Sequence, residues 1–407
     1  MENPNWDLVC VSHLWWDWVW QRPQHVLTRF ARRQPVLWIE EPRLAVGPPG
    51  EAFEVVEKWP NLWVASLLYR SDAETFTRRL EAHVQEFGPA GFDPASSVQH
   101  ASLLFQGAPL RRLEQEVVGY VPTWRRGRRL VLWLYTPMAL GFVDLLRPDL
   151  VVYDVMDDLA AFDFPPPGLL DLQDALLARA DLVFAGGPSI RNRVLARRPD
   201  TYLFASGVEQ QHFARALDPS LAQPAEAAGW QRPIIGYFGV IDERLDLPLL
   251  DRVAALRPDW TWVLVGPVTK VAPEVLPRHP NLHYVGKRDY NDLPAYLKTF
   301  DVAMMPFALN NATRSISPTK TLEYMAAHKP IVSTPVRDVV DLYGSIVSIA
   351  EGPEALVAAV EAILAQDEGS RARRVEHEKA VLDRSSWDAI ADAMYSLVEQ
   401  HPGRSIR

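Results

Sequence analysis

Between Ser315 and Thr334 the chain reads SISPTKTLEYMAAHKPIVST, and residue types there stand at spacings that could do chemistry. Ser317 is a good helix N-cap and Pro318 fits the first helical position, so a helix is expected to start here and run to about Ala327. Its free amide groups, with Thr319 among them and Lys320 adding a full positive charge in the first turn, would seat an anion such as a diphosphate. Glu323 follows three residues later on the same face, where its carboxylate could accept hydrogen bonds from a ribose diol. Taken alone, Lys320 and Glu323 read equally well as an exposed helical ion pair.

A second group follows the apolar run Leu150 to Val155. Asp154, Asp157 and Asp158 are expected to repel one another where a strand ends, which raises at least one pKa toward the range a general base needs. Asp157 is the first choice for that base, against a reading of the acids as helix caps and solvent-exposed groups. The second choice is His13, although a lone histidine is more often structural. His13 opens the segment Leu14 to Pro23, with four tryptophans within Trp15 to Trp20. Trp15, Trp16, Asp17 and Trp18 read either as an acceptor-binding loop, where indoles stack on sugar rings, or as core packing.

Elements must position these groups. Short β-branched runs alternate with amphipathic segments, the pattern of parallel sheets with helices on both faces. In the first half, strands are expected at 8–12, 35–39, 62–66, 130–135, 150–155, 182–185 and 202–205. A helix is expected over Pro23 to Arg33, with Arg29, Arg32 and Arg33 facing away from the core. After a connector from Leu221 to Arg232, a second series is expected at 234–238, 262–265, 282–285, 302–305, 331–333 and 345–349. The ends of parallel strands are where ligands bind, which selects the residues above.

Composition narrows the classes. The chain has 407 residues, 48% hydrophobic and 23% charged, which excludes disordered, collagen-like and disulfide-scaffold proteins. The single cysteine, Cys10, is expected to be a buried thiol in a reducing compartment. The acidic N-terminus lacks the pattern of a signal peptide, so a cytoplasmic location is expected. Net charge is −9, shared almost evenly between the halves, which argues against nucleic acid as a partner. Arginine pairs at Arg125, Arg126, Arg128 and Arg129 read as a solvated surface or as a contact for an anionic membrane surface.

The sequence resembles the GT-B glycosyltransferases of the family 4-like group, glycosyl transferases group 1. The resemblance rests on Gly236 to Gly239, Leu264 to Pro267, Asn281 to Leu293 followed by Phe300 to Pro306, and Ser317 to Pro330. Ser206 to Glu209 is similar to that group's Asn-Gly-Val-Asp. It implies an α/β fold of GT-B type: two Rossmann-like doubly wound domains facing across a cleft, at 1–207 and 208–384. The helix within 385–407 is expected to cross back to the first domain. By position it implies Gly239 beneath the donor diphosphate, Lys287 and Arg288 beside the base, Lys320 at the phosphates and Glu323 at the ribose. Retaining members commonly carry a second acid eight positions before Glu323, where this chain has Ser315. The wording is closer to teichuronic-acid and xanthan glucuronosyltransferase types.

The expectation is a glycosyltransferase moving a sugar from a uridine-based nucleoside diphosphate to a glycan or lipid-linked acceptor in polysaccharide or glycolipid synthesis. No metal or other cofactor is expected, because relatives neutralise the leaving diphosphate with the helix end and basic side chains. The alternatives are a sugar-nucleotide epimerase on the same architecture, and a non-catalytic carbohydrate-binding scaffold suggested by Ser315.

Overall fold

A computed structural model describes residues 6–18, 20–87, 100–102, 105–161, 165–166, 168–269, 271–311, 313, 316 and 319–403. The chain divides into two compact units, one of residues 1–205 and 390–407 and the other of residues 206–389.

The strands of the first unit are β1 (Trp6–Ser12), β2 (Val36–Glu40), β3 (Arg43–Val46), β4 (Gly50–Trp59), β5 (Leu62–Ser71), β6 (His100–Ser102), β7 (Arg129–Leu134), β8 (Leu150–Val155), β9 (Leu182–Ala185) and β10 (Tyr202–Leu203). They form one sheet in the order β10-β9-β8-β7-β1-β2-β5-β3-β6, with β4 paired antiparallel to β5. The central strands pair in parallel and are buried on both faces, as near-continuous runs such as Leu-Val-Val-Tyr in β8 require. Its helices are α1 (Arg22–Ala31), α2 (Ala73–Phe87), α3 (Gly107–Trp124), α4 (Gly141–Leu146), α5 (Leu169–Arg179) and α6 (Pro188–Leu195).

Two local expectations are corrected. α1 is buried along its whole length, and Arg29 turns back to donate to the His25 carbonyl (3.0 Å) instead of facing water. β3, β4 and β6 also extend the sheet beyond the strands expected from apolar runs. β4 carries four charged side chains in ten residues and is largely exposed, so no apolar run announces it.

The second unit holds β11 (Ile234–Phe238), β12 (Thr261–Val265), β13 (Leu282–Gly286), β14 (Val302–Met305), β15 (Ile331–Ser333) and β16 (Ser348–Ile349), in the order β13-β12-β11-β14-β15-β16. Every pair is parallel. With α7 (Gln210–Ala214), α8 (Leu247–Leu256), α9 (Leu293–Thr299), α10 (Lys320–Ala326), α11 (Arg337–Tyr343), α12 (Pro353–Leu364) and α13 (Glu368–Leu382), this is a doubly wound sheet. The last helix, α14 (Trp387–Gln400), straddles the division at Ala389. Its Tyr395 packs on Trp6 (5.1 Å between ring centroids) and Phe30 (5.5 Å) of the first unit.

Candidate active site

In the second unit, the end of β11 turns sharply at Gly239, which has φ +143°. A Cβ at Gly239 would lie 2.1 Å from Lys320 Cε and 2.9 Å from its Nζ, and the positive φ itself favours glycine, so the backbone passes close beneath that ammonium. Gly266, at the end of β12 with φ +154°, packs so closely that a Cβ there would meet the Gly239 carbonyl oxygen at 1.9 Å. The Gly239 amide donates to the Val265 carbonyl (2.9 Å), so the two strand ends form one backbone platform. Lys320 Nζ stands 6.0 Å from the Tyr237 ring centroid. The expectation of a helix with Lys320 in its first turn and Glu323 one turn deeper corresponds to α10, preceded by Thr319. Ser317, Pro318 and Ser315 lie outside the described residues.

Glu323 is half-buried, and desolvation pushes its pKa up; Lys320 and a hydrogen bond from the Thr319 hydroxyl pull it down, while Glu209 pushes it further up. Gly239, Thr319, Lys320 and Glu323 are therefore brought together. The basic pair on the loop after β13 is divided. Lys287 is exposed, whereas Arg288 donates to the Tyr296 hydroxyl (2.6 Å) and to Glu226 (3.2 Å).

Two residues of this edge carried no assigned role in the sequence reading. One is Gly266. The other is Arg244, on the loop after β11, whose guanidinium grips the buried Asp242 carboxylate (2.7 to 3.1 Å). Burial raises the pKa of Tyr237, with Arg244 lowering it and Asp242 and Glu323 raising it. The signal for Arg244 was positional, a basic residue five places after Gly239 in a loop at a strand's carboxyl end. The loop is fixed on both sides: Asp246 donates to the Pro306 carbonyl (2.9 Å), and Asn310 to the Glu243 carbonyl (2.8 Å).

In the first unit the acids after β8 are not an open cluster. Asp154 is fully buried and pairs with Arg22 of α1 through both Nε and Nη2, the shortest contact being 2.9 Å. Its pKa is raised by desolvation, against the pull of Arg22 and a hydrogen bond from Tyr135. Asp158 pairs with Arg193 of α6. Asp157 is half-buried between these neighbours in sequence. The raised pKa expected of this trio thus falls on Asp154, a group that holds α1 and β8 together, and its cause is burial.

His13 follows the end of β1 and is half-buried. β7 lies between β1 and β8 in the sheet. Two strand spacings, about 10 Å of backbone, separate the strand ends that bear His13 and Asp157.

The tryptophan loop is divided in use. Trp16 is 7% exposed and packs edge-on against Trp38 (5.3 Å) and Trp20 (5.6 Å), which removes its ring from the acceptor-binding set. Trp20 donates to His25 Nδ1 (3.1 Å). Trp15 and Trp18 are half-buried, Trp15 lies under the Arg43 guanidinium (4.9 Å), and Asp17 is exposed and bonded to Lys58 (2.8 Å). The Trp16 amide donates to Glu40 (2.9 Å), a buried carboxylate whose pKa is pushed up by desolvation.

A membrane surface built from the arginines after α3 is not supported. Arg125, Arg128 and Arg129 are half-buried, with Arg125 donating to the Arg128 carbonyl and Arg129 to that of His401 (2.6 Å). Among the described residues no helix is long and apolar enough to cross a membrane, and no group of three or more His, Cys, Asp and Glu side chains could hold a metal ion.

These two doubly wound units define the class as the GT-B fold of glycosyltransferases. The chain aligns over 98% of its length with a structure of trehalose-6-phosphate from E. coli bound with UDP-2-fluoro glucose (100% of that chain, 15% identity, TM-score 0.67). It aligns over 97% with a sucrose-phosphate synthase from Thermosynechococcus elongatus (98% of that chain, 16% identity, TM-score 0.65). Residues 232–366, the span of the Gly239, Lys320 and Glu323 cluster, match the model of the family Glycosyl transferases group 1. A Bacillus subtilis (strain 168) protein named for teichuronic acid biosynthesis, the glycosyltransferase TuaH, is 28% identical over 232 residues. That match covers 52% of this chain and 57% of the relative, so the chain spans little more than half the length of the curated relative it matches.

Proposed function

We propose that the protein is a glycosyltransferase taking its sugar from a uridine-based nucleoside diphosphate and passing it to a glycan or lipid-linked acceptor, in cell-surface polysaccharide or glycolipid synthesis. The observation that carries this reading is Lys320, whose ammonium sits directly over the cleared backbone of Gly239 at the carboxyl edge of the second unit's sheet. A diphosphate laid across Gly239 would meet that charge. Preorganised charge of this kind stabilises the negative charge that develops on a leaving diphosphate. Glu323, with the Thr319 hydroxyl bonded to it, would accept from the ribose diol, and Lys287 would flank the base. The uridine preference is supported by the ligand named for the E. coli structure, and the polysaccharide setting by the name of the B. subtilis relative.

The first unit would supply the acceptor. Trp15 and Trp18 would pack against it with Asp17 alongside, and Asp157 would take the proton of the attacking hydroxyl, His13 being the alternative base. The charge of the leaving group is assigned to side chains of this chain, with no metal required.

A panel of uridine diphosphate sugars tests the reading. Release of uridine diphosphate, slow without acceptor and faster with cell-wall glycan extracts, is the expected result. An isomerised sugar would mean an epimerase, and binding without turnover a scaffold. Lys320→Ala is expected to weaken uridine diphosphate binding by about 10- to 100-fold, since charge-assisted bonds contribute roughly 1.5 to 3 kcal/mol each. Unchanged affinity would remove the diphosphate from this position.

A further inference from the structure

A groove in the first unit, open to solvent, lies between the N-terminal half of α3, the turn leading into α4, and α5, with a volume of about 720 Å³. Met138, Leu140 and Leu172 give it an apolar wall. Two polar side chains also line it. Gln106, which precedes α3, is only 9% exposed, and its Nε2 has no hydrogen-bond partner among the described residues. About two turns into α3 stands Glu114, half-buried, whose carboxylate has no hydrogen bond or ion pair among the described residues beyond an electrostatic attraction to Arg111. Partial burial pushes its pKa up. Gly141 lies against it: a Cβ at that position would be 2.6 Å from Glu114 Oε1. At the rim, Asp144 and Arg179 bind each other through two contacts (2.9 and 2.5 Å) and are thereby neutralised.

These features restrict the occupant. An anion would face the Glu114 carboxylate with no free cation on the wall to offset it. A wholly apolar molecule would leave both the amide and the carboxylate desolvated without partners, which is unfavourable for each. A pyranose ring satisfies both demands, since its C–H face packs on Met138 and Leu172 while its hydroxyls donate to Glu114 and accept from Gln106. The volume suits a short run of rings, roughly two or three, within the ordinary range of ligand pockets.

We infer that this groove binds a neutral stretch of a glycan chain. The inference rests on the transferase reading for the class of ligand, while the site itself is separate from the residues assigned above to donor and acceptor chemistry. Its nearest link to them is Met138, in the turn after β7, the strand paired with the one that leads to Asp157. A groove there would hold the body of a growing chain while its end is extended.

Saturation-transfer NMR on the full chain, with cellobiose, maltose and N,N′-diacetylchitobiose as probes, tests this. Transfer to the ring protons of at least one disaccharide is expected with the wild type. It should fall at least fivefold in both Glu114→Gln, which removes the charge, and Leu172→Trp, which fills the groove; Gln106→Ala provides a third, milder variant should Leu172→Trp fold poorly. No transfer from any probe, or equal transfer in wild type and variants, overturns the groove. Titration of the same samples with uridine diphosphate separates the two readings. Uridine diphosphate bound without disaccharide overturns the groove alone, and groove-dependent disaccharide binding without uridine diphosphate overturns the donor assignment alone.

Discussion

The carboxyl ends of β8 and β11 both present charged groups, yet they use them differently. After β8, Asp154 and Asp158 are matched by Arg22 and Arg193, so each charge closes an internal pair. At β11, the backbone has been cleared at Gly239 to admit the Lys320 side chain, with Gly266 cleared in turn to admit Gly239. The first arrangement holds elements together through ion pairs; the second brings a lysine side chain against glycine backbone. The contrast separates structure from chemistry better than charge density does, because three acids crowd the end of β8 and yet two of them are spent on internal ion pairs.

The comparison breaks most readily at Asp157. If it is the general base, Asp157→Asn lowers turnover by about 10² to 10⁴ while uridine diphosphate affinity stays within twofold, since proton transfer is made only in the transition state. Steady-state rates and titration of the same variant check this. A fully active variant would make the whole β8 end structural and shift the base to His13.

Arg22 sharpens the other side. It is 4% exposed, and its Nη1 also donates to the Phe204 carbonyl (2.6 Å). Arg22→Ala leaves Asp154 buried without its cation, a loss of about 3 to 5 kcal/mol in stability. Urea denaturation measures it, and a double variant with Asp154→Asn should recover part of the loss. A change below about 1 kcal/mol would show that Asp154 is not held as an ion in the folded chain.

Much of this was legible in the residues. The β-branched runs marked the buried parallel strands, and the Lys320 to Glu323 spacing marked the face of α10, because both depend on local periodicity. Three things were not legible. Arg22 and Asp154 lie 132 positions apart, so nothing in either neighbourhood announces their pairing. Arg288 looks like a free base-binding cation beside Lys287 until Glu226 arrives from the connector. Trp16 and Trp15 are neighbours of the same type, and only the placement of Trp38 on β2 decides that one packs inward while the other lies under Arg43.

The smallest expected effect compares two lysines at opposite ends of α10. Lys320, at its first residue, stands over Gly239, whereas Lys329, just beyond its end, donates to the Phe300 (2.7 Å) and Lys298 (3.1 Å) carbonyls. Burial lowers the pKa of Lys329 to about 8; Asp301 opposes the shift, and Arg232, Arg374 and Lys298 add to it. The folded chain therefore releases this proton earlier than the unfolded chain, whose lysine titrates near its ordinary value. Between pH 8 and that value the unfolded state binds more protons, so stability rises with pH through this window, and at pH 7 the charged form is a liability. A neutral amine still donates to both carbonyls, so deprotonation relieves desolvation without breaking the contacts. Urea denaturation at pH 7.5 and pH 10 should show the wild type gaining about 2 kcal/mol relative to Lys329→Met, in which the groups common to both proteins cancel. Parallel changes in the two proteins would mean that Lys329 keeps its charge as easily as an exposed lysine, and that burial does not distinguish the two ends of α10.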